Sequence, residues 1–267
     1  MFTIFRIFWK GCTMKNYKIY IRSFLSVATF ALIFLSVYSC SKKTIIEQTI
    51  NTSPDNLDTI NIPPSIPDSV KTFLALGDSY TIGHSVPEAE RFPNQIVQLL
   101  KNDNIKISDP EIIAVSGWTT TNLINELNTK SPQNNYSLVS LLIGVNNQYR
   151  GGSIEDYKTE FTLLVNRSIQ YAGNNRNNVF VLSIPDYSVT PFAQNTDTQK
   201  IASEIDSFNL ANKTISAQLG VNYLDITPIS REAVNDPALI ARDGLHPSGR
   251  QYKIWADMLA SLMKKSL

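Results

Sequence analysis

The sequence has few of the residues that build metal centres and disulfide frameworks. Its 267 residues include two cysteines and two histidines. Both cysteines, Cys12 and Cys40, lie near the N-terminus, so the rest of the chain offers no cysteine nucleophile, thiolate ligand or disulfide. The histidines, His84 and His246, are not part of a His-Glu-x-x-His pattern. We therefore expect no metal and no other cofactor.

The chain also lacks an excess of charge of either sign. Lysine and arginine number 24 against 23 acidic residues, which gives a formal net charge of +1. No basic block is interleaved with aromatic residues beyond the N-terminal segment, so we expect no nucleic-acid partner. Hydrophobic residues make up 43% of the chain, which is enough for the core of one large α/β domain.

The first 40 residues have the pattern of an export signal. Basic residues precede an apolar run over residues 24–38, which is too short for a comfortable permanent membrane span. Val37-Tyr38-Ser39-Cys40 resembles a bacterial lipobox, in which the cysteine is lipidated and becomes the first residue. An ordinary signal peptide cut nearby is the alternative, and Met14 is an alternative start. We expect an exported lipoprotein of the bacterial cell envelope, with a membrane anchor at Cys40.

Residues 41–70 predict a flexible tether, because they are rich in Thr, Asn, Ser, Asp and Pro and have no sustained periodicity. From residue 71 to 267, apolar runs of strand length alternate with helical patterns. The strands are predicted at residues 74–77, 111–115, 138–145, 179–184 and 221–226. Longer helices are predicted to begin at residue 92 and to cover residues 119–128, 154–172, 201–219 and 252–263. Such alternation predicts a five-stranded parallel sheet with helices on both faces, a three-layer αβα flavodoxin-like fold.

Polar residues follow the first three predicted strands. Ser79 comes after the first, Gly117 after the second and Asn146 after the third. In a flavodoxin-like order the first strand lies between the second and the third, so these three loops meet at one crevice. A serine hydroxyl needs a neighbouring base to become a good nucleophile. The Ser79 and Gly117 N–H groups and the Asn146 amide are suited to bind a developing oxyanion.

His246 is the better candidate for that base. Asp243 lies three residues earlier, so one turn can place its carboxylate against the imidazole and fix the tautomer. His84 has no acidic residue in its own turn, and we expect it at the rim or the surface. Each of these residues taken singly is an ordinary turn or cap residue.

Four blocks together resemble the SGNH (GDSL) hydrolase family, in that family's order and over nearly all of residues 71–267. They are Gly77-Asp78-Ser79-Tyr80, Gly117, Gly144-Val145-Asn146-Asn147 and Asp243-Gly244-Leu245-His246. The resemblance implies that Ser79 is the nucleophile, His246 the base and Asp243 its orienting acid. It also implies an oxyanion hole made by Ser79, Gly117 and Asn146. Two residues depart from the family pattern: Tyr80 stands where many members have Leu, and Asn147 where Asp is usual.

The expected activity is that of a serine esterase acting on a small-molecule, lipid or glycan ester. A lysophospholipase or thioesterase with the same machinery is an alternative, and so is a surface lipoprotein that binds ligand without catalysis. Residues after the strand ends are expected to rim the crevice; they are Trp118, Asn147, Tyr149, Arg150, Pro185 and Tyr187. A nucleotide-binding protein is disfavoured because the first loop has no glycine-rich phosphate cradle.

Overall fold

Five parallel strands form the central sheet in the computed structural model of the protein, which describes residues 69–267. The sheet order is β2-β1-β3-β4-β5, so the first strand lies between the second and third as predicted. The strands are β1 (Phe73–Gly77), β2 (Glu111–Ala114), β3 (Leu138–Leu142), β4 (Val179–Leu182) and β5 (Asn222–Leu224). All residues of β1, β3 and β4 are buried, as expected for strands covered on both faces. The predicted α/β fold is confirmed.

Eight α-helices connect and flank the strands within the described residues. They are α1 (Ser79–Ile82), α2 (Phe92–Asn102), α3 (Thr120–Lys130), α4 (Val145–Tyr149), α5 (Ile154–Tyr171), α6 (Thr198–Leu219), α7 (Thr227–Arg231) and α8 (Gly249–Met263). Helix α2 packs against α8, and α5 packs against both α3 and α6. None of the described helices is long and apolar enough to span a membrane.

The long helices begin where short polar side chains can cap them. Thr119 caps α3 in a reciprocal capping box with Asn122, and Ser153 caps α5. Asp197 and Ser248 accept hydrogen bonds from the first turns of α6 and α8. The apolar spacing in the sequence, without these caps, predicted the four helices to within a few residues.

An aromatic cluster in the core lies beneath α1. Trp255 and Tyr252 of α8 are fully buried, with ring centroids 5.1 Å apart in an edge-to-face arrangement. Phe92 of α2 packs against both rings. Tyr80 of α1 contacts Trp255 on one side and His246 on the other, at centroid distances of 6.5 and 5.6 Å. Tyr80 thus joins the core to the loop that carries His246.

Strand β2 ends at Ala114, one residue before the predicted end, and three other strands end two or more residues early. Strand β3 ends at Leu142, not at residue 145, because Gly144 turns the chain at a φ of +133° and α4 begins at Val145. Strand β4 ends at Leu182 because the Asn209 amide bonds the backbone N–H and C=O of Ile184. The third case is β5.

Strand β5 covers Asn222–Leu224, although the prediction was 221–226. The hydroxyl of Ser183 accepts hydrogen bonds from the backbone N–H groups of Ile226 and Thr227, which replaces strand pairing there. The predicted signal peptide, with Cys40, and nearly all of the predicted tether lie outside the described residues.

Candidate active site

Ser79 is the first residue of α1, directly after β1. The preceding residue, Asp78, caps this one-turn helix by accepting a hydrogen bond from the Tyr80 N–H at 3.0 Å. At the first helical position the Ser79 N–H has no helical carbonyl to donate to, so it is suited to bind an anion. Asp78 is buried, and burial raises the pKa of its carboxyl to about 7.

His246 and Asp243 form a hydrogen-bonded pair just before α8. Asp243 Oδ2 lies 2.6 Å from His246 Nδ1. Asp243 Oδ1 accepts from the backbone N–H groups of Leu245 and His246, each at 3.0 Å. The loop itself is closed by an antiparallel bridge between Ile240 and Pro247. The carboxylate therefore sets the orientation of the ring and leaves His246 Nε2 available for other partners.

The electrostatics of the pair favour an ionised Asp243 and a neutral His246. Burial alone would raise the pKa of Asp243, but hydrogen bonds from Ser85, Leu245 and His246 lower it well below its usual range. Burial lowers the pKa of His246, and the nearby His84 lowers it further, against the opposing effect of Asp243. A neutral imidazole held by a carboxylate is the form that can accept a proton.

The turn after α1 also reaches this pair. The His84 ring centroid lies 4.7 Å from that of His246, and His84 Nδ1 lies 3.0 Å from Ser116 Oγ. Ser85 Oγ donates to Asp243 Oδ2 at 2.6 Å. Sequence reasoning placed His84 at the rim or surface and gave Ser85 no role, because contacts this far apart along the chain leave no local signal.

One ligand atom each from His84, Asp243 and His246 lies within 4.8 Å of the others. Asp243 already accepts four hydrogen bonds, one of them from the His246 ring, and His84 is bonded to Ser116. These bonds occupy both Asp243 oxygens and the Nδ1 atom of each histidine, and we interpret the group as a hydrogen-bond network.

Gly117 and Asn146 lie on two segments that are bonded to each other. Gly117 has a φ of +85°, which glycine adopts without strain. Helix α4 holds the turn: Asn146 Nδ2 donates to the Trp118 carbonyl at 3.0 Å, and Arg150 donates to the Gly117 carbonyl at 2.7 Å. A primary amide has two N–H donors, so Asn146 keeps one for the cavity.

Asn147 is directed away from the cavity. Its Oδ1 accepts from the Thr120 N–H at 3.0 Å, and its Nδ2 donates to Thr120 Oγ1 at 2.7 Å. The Thr120 hydroxyl in turn donates to Glu160 of α5. Because the hydroxyl proton is used by Glu160, residue 147 must supply a donor. An amide does so and a carboxylate does not, which explains why Asn replaces the expected Asp.

A cavity of about 180 Å³ opens beside Ser79 and His246. Two predicted rim residues, Tyr149 and Tyr187, line it, while Trp118 and Asn147 do not. Arg150 bonds Gly117, and Pro185 lies beside a smaller pocket behind His246. The lining residues are Ser79, Tyr80, Ser116, Gly117, Val145, Asn146, Tyr149, Tyr187, Phe192, Leu245 and His246. The structure thus brings Ser79, Gly117, Asn146 and His246 around one space; in the described residues no hydrogen bond joins Ser79 to His246.

Phe192 is a lining residue that the sequence did not reveal. Its ring lies 6.1 Å from that of Tyr149 and 6.3 Å from that of Tyr187. Phe192 and Tyr149 are both largely exposed. The residue lies in a one-turn 3-10 helix (Pro191–Ala193) well past the end of β4, where neither periodicity nor a strand end marks it. Its N–H bonds the Gly244 carbonyl, which places this segment against the His246 loop.

Comparisons with known proteins agree with this arrangement. TesA shares the fold at a TM-score of 0.58, with 14% sequence identity over 74% of this chain and 100% of that chain. The esterase EstA from Pseudoalteromonas sp. has a TM-score of 0.54, with 18% identity over 73% of this chain and 97% of that chain. Axe2, an acetylxylan esterase from Geobacillus stearothermophilus, has a TM-score of 0.56, with 18% identity over 72% of this chain and 94% of that chain.

A comparison with curated proteins finds no match. The family model of the GDSL-like lipase/acylhydrolase family matches residues 75–254, which is more than half of the chain and includes all four sequence blocks. The chain therefore belongs to the GDSL-like lipase/acylhydrolase family, the SGNH type of serine ester hydrolase.

Proposed function

We propose that this protein is an exported esterase that hydrolyses carboxylic esters through an acyl-serine intermediate. Ser79 is the nucleophile, His246 the general base and Asp243 the residue that orients His246. The observation that carries this proposal is the 2.6 Å bond between His246 Nδ1 and Asp243 Oδ2, with Ser79 and His246 lining one cavity. Nucleophile, base and orienting acid in this relation are the parts that acyl transfer requires.

The reaction follows from these groups. His246 Nε2 accepts the Ser79 hydroxyl proton as the oxygen attacks the ester carbonyl. The oxyanion that forms is bound by the N–H groups of Ser79 and Gly117 and by the Asn146 amide. His246 then protonates the leaving alcohol, and the carbonyl re-forms as the acyl-serine. A water molecule, deprotonated by His246, attacks the acyl group and releases the acid and the free serine.

Replacing Ser79 by Ala tests the nucleophile. We expect turnover of p-nitrophenyl acetate to fall by about a thousandfold or more, and labelling by a fluorophosphonate probe to disappear. Ser116→Ala is the matched control, because Ser116 lines the same cavity and its hydroxyl has no assigned role in the chemistry. Covalent labelling of Ser79→Ala, or loss of labelling only in Ser116→Ala, would reject the assignment. Absence of turnover and labelling in the native protein would favour a ligand-binding lipoprotein.

The cavity favours an ester with an apolar acyl group. Three aromatic rings, Tyr149, Tyr187 and Phe192, line it, and Val145 and Leu245 complete an apolar wall. Apolar walls with a few placed polar groups are typical of sites for apolar ligands. A lysophospholipid or a thioester carries such a group, so both stay candidate substrates.

Export and lipid attachment belong to the same proposal and rest on the sequence of residues 1–40. A basic segment, an apolar run and the lipobox-like Val37-Tyr38-Ser39-Cys40 support them. We expect the protein to fractionate with membranes of the expressing bacterium, and Cys40→Ser to release it. Equal membrane retention of Cys40→Ser would contradict lipidation at this residue.

A further inference from the structure

The short turn that follows α1 carries a serine in an unfavourable backbone conformation. Ser85 has a φ of +68°, in the left-handed region that glycine adopts freely and other residues rarely occupy. It is one of four non-glycine residues with positive φ in the described part of the chain. A residue stays in such a conformation only when the surrounding structure fixes it there, so the contacts of Ser85 are informative.

Within the described residues, the side chain of Ser85 makes one hydrogen bond, and its partner is Asp243. Its hydroxyl donates to Asp243 Oδ2 at 2.6 Å, the same oxygen that lies 2.6 Å from His246 Nδ1. The two backbone N–H donors hold the other oxygen, Oδ1. Without Ser85, Oδ2 would accept a hydrogen bond from the imidazole only.

The turn is tied to Ser79 as well. The His84 N–H donates to the Ser79 carbonyl at 3.0 Å, and Gly83 ends α1 in a left-handed conformation. The position of Ser85 is therefore set by the helix that begins at Ser79. One short segment then connects the proposed nucleophile to the carboxylate that orients the proposed base.

We propose that Ser85 is a positioning residue that fixes the Asp243 carboxylate and, through it, the orientation of the His246 ring. This inference rests on the proposed function. Ser85 does not line the cavity, so it acts through Asp243 and not on the substrate. Its hydroxyl also shares the negative charge of Oδ2, which limits how strongly the carboxylate attracts a protonated imidazole.

Ser85→Gly separates this role from a merely structural one. The substitution removes the hydroxyl and also relieves the backbone strain, so we expect the melting temperature to stay equal or to rise by about 2–4 °C. We expect kcat to fall about fivefold, with KM within about twofold of the native value, since a hydrogen bond to a charged group is lost and water partly replaces it.

The pH profile gives a second readout. With one donor fewer, the Asp243 carboxylate attracts the His246 imidazolium more strongly, so the acid limb of kcat/KM moves to higher pH. The other titratable groups facing the pair are Tyr80 in α1, His84 in the turn after it, and Asp186 and Tyr187 after β4. All four remain in the variant, so the shift reports on Ser85.

Ser131→Gly is the matched control. Ser131 also has a positive φ, of 46°, and it ends α3 outside the cavity lining. We expect this variant to gain stability in the same way and to keep the native kcat and pH profile. Ser85→Ala, which removes the hydroxyl but keeps the strain, should lose activity as Ser85→Gly does and be less stable than it.

Native kcat and an unmoved acid limb in Ser85→Gly would overturn the inference. Its failure is distinct from that of the proposed function. If Ser79→Ala still hydrolyses the ester, the proposed function is wrong. If Ser79→Ala is inactive while Ser85→Gly matches the native enzyme, only the role of Ser85 is wrong.

Discussion

His246 occupies a position in which three influences on one imidazole compete. The buried environment disfavours the charged ring, His84 stands 4.7 Å away, and Asp243 attracts the cation. The net effect lowers the pKa of His246 below its ordinary value of 6.5. For a general base this direction is useful, because the unprotonated form persists into mildly acidic solution.

We predict that the acid limb of kcat/KM has its midpoint below pH 6.5. His84→Gln should move that midpoint upward, because it removes an imidazole whose charge disfavours protonation of His246. The measurement is the rate of a chromogenic ester from pH 4 to 9, on enzyme shown to stay folded over that range. A native midpoint at or above 6.5, or an identical profile in His84→Gln, would refute the prediction.

At the scale of secondary structure, α1 is the shortest α-helix of the described chain and depends on its cap. Asp78 provides that cap from a buried position, and one of its oxygens, Oδ2, has no hydrogen-bond partner in the described structure. Burial raises the pKa of Asp78 from 3.8 to about 7. Between these values the folded chain keeps a proton that the unfolded chain has lost, so the contribution of Asp78 to stability falls as pH rises from about 4 to 7.

We therefore predict that Asp78→Asn raises the free energy of unfolding at pH 8 by a few kcal/mol. The upper limit is about 1.4 kcal/mol for each unit by which the pKa of Asp78 is raised. Asparagine keeps the capping oxygen and cannot ionise. The gain should be largely lost near pH 4, where Asp78 is protonated in the folded state and about half protonated in the unfolded state. Urea unfolding at the two pH values measures this difference.

Asp197→Asn provides the comparison for Asp78→Asn. Asp197 also caps a helix, α6, but from an exposed position, where its side chain accepts a hydrogen bond from the Lys200 N–H. We expect Asp197→Asn to change the free energy of unfolding little at pH 8. A free-energy difference between Asp78→Asn and the native protein that is equal at pH 4 and pH 8 would contradict the argument from burial.

The long elements were predictable from sequence, and the short ones were not. Apolar runs and apolar periodicity identified the five strands and the five longer helices. Helices α1, α4 and α7 have four or five residues, too few for a period to emerge. Their ends depend on tertiary partners, such as the Ser183 hydroxyl that ends β5 and the Asn209 amide that ends β4.

For the whole molecule, the cavity is assembled from segments that are far apart along the chain. Ser79, Gly117 and Asn146 follow three adjacent strands, which is why the strand order predicted their meeting. Asp243 and His246 were predicted as a pair because they share one turn. Phe192 and Ser85 were not predicted, since their contacts depend on how irregular segments pack, and no local pattern encodes that.

The aromatic opening of the cavity predicts a preference among acyl groups. We expect kcat/KM for p-nitrophenyl hexanoate to exceed that for the acetate, because each buried methylene contributes up to about 0.8 kcal/mol. Phe192→Ala should reduce the ratio of the two constants severalfold and change the acetate constant little. Tyr149→Ala should act in the same direction.

Leu210→Ala is the control for these variants. Leu210 is at least as exposed as Phe192 and Tyr149 but lies on α6, outside the cavity lining. In Leu210→Ala, the ratio of kcat/KM for the hexanoate to kcat/KM for the acetate should equal that of the native enzyme. An unchanged ratio in both Phe192→Ala and Tyr149→Ala would show that the rings do not contact the acyl group.

The bond between Ser85 and Asp243 joins positions 158 residues apart, and it forms only when the two ends of the described chain meet. A nascent polypeptide contains Ser79 long before His246 has been synthesised. If these residues are nucleophile and base as proposed, such an incomplete chain does not attack the esters around it. During refolding, ester turnover would therefore begin only when the His246 loop has packed against the segment that carries Ser79 and Ser85. The onset of turnover would serve as a sensitive signal of that contact.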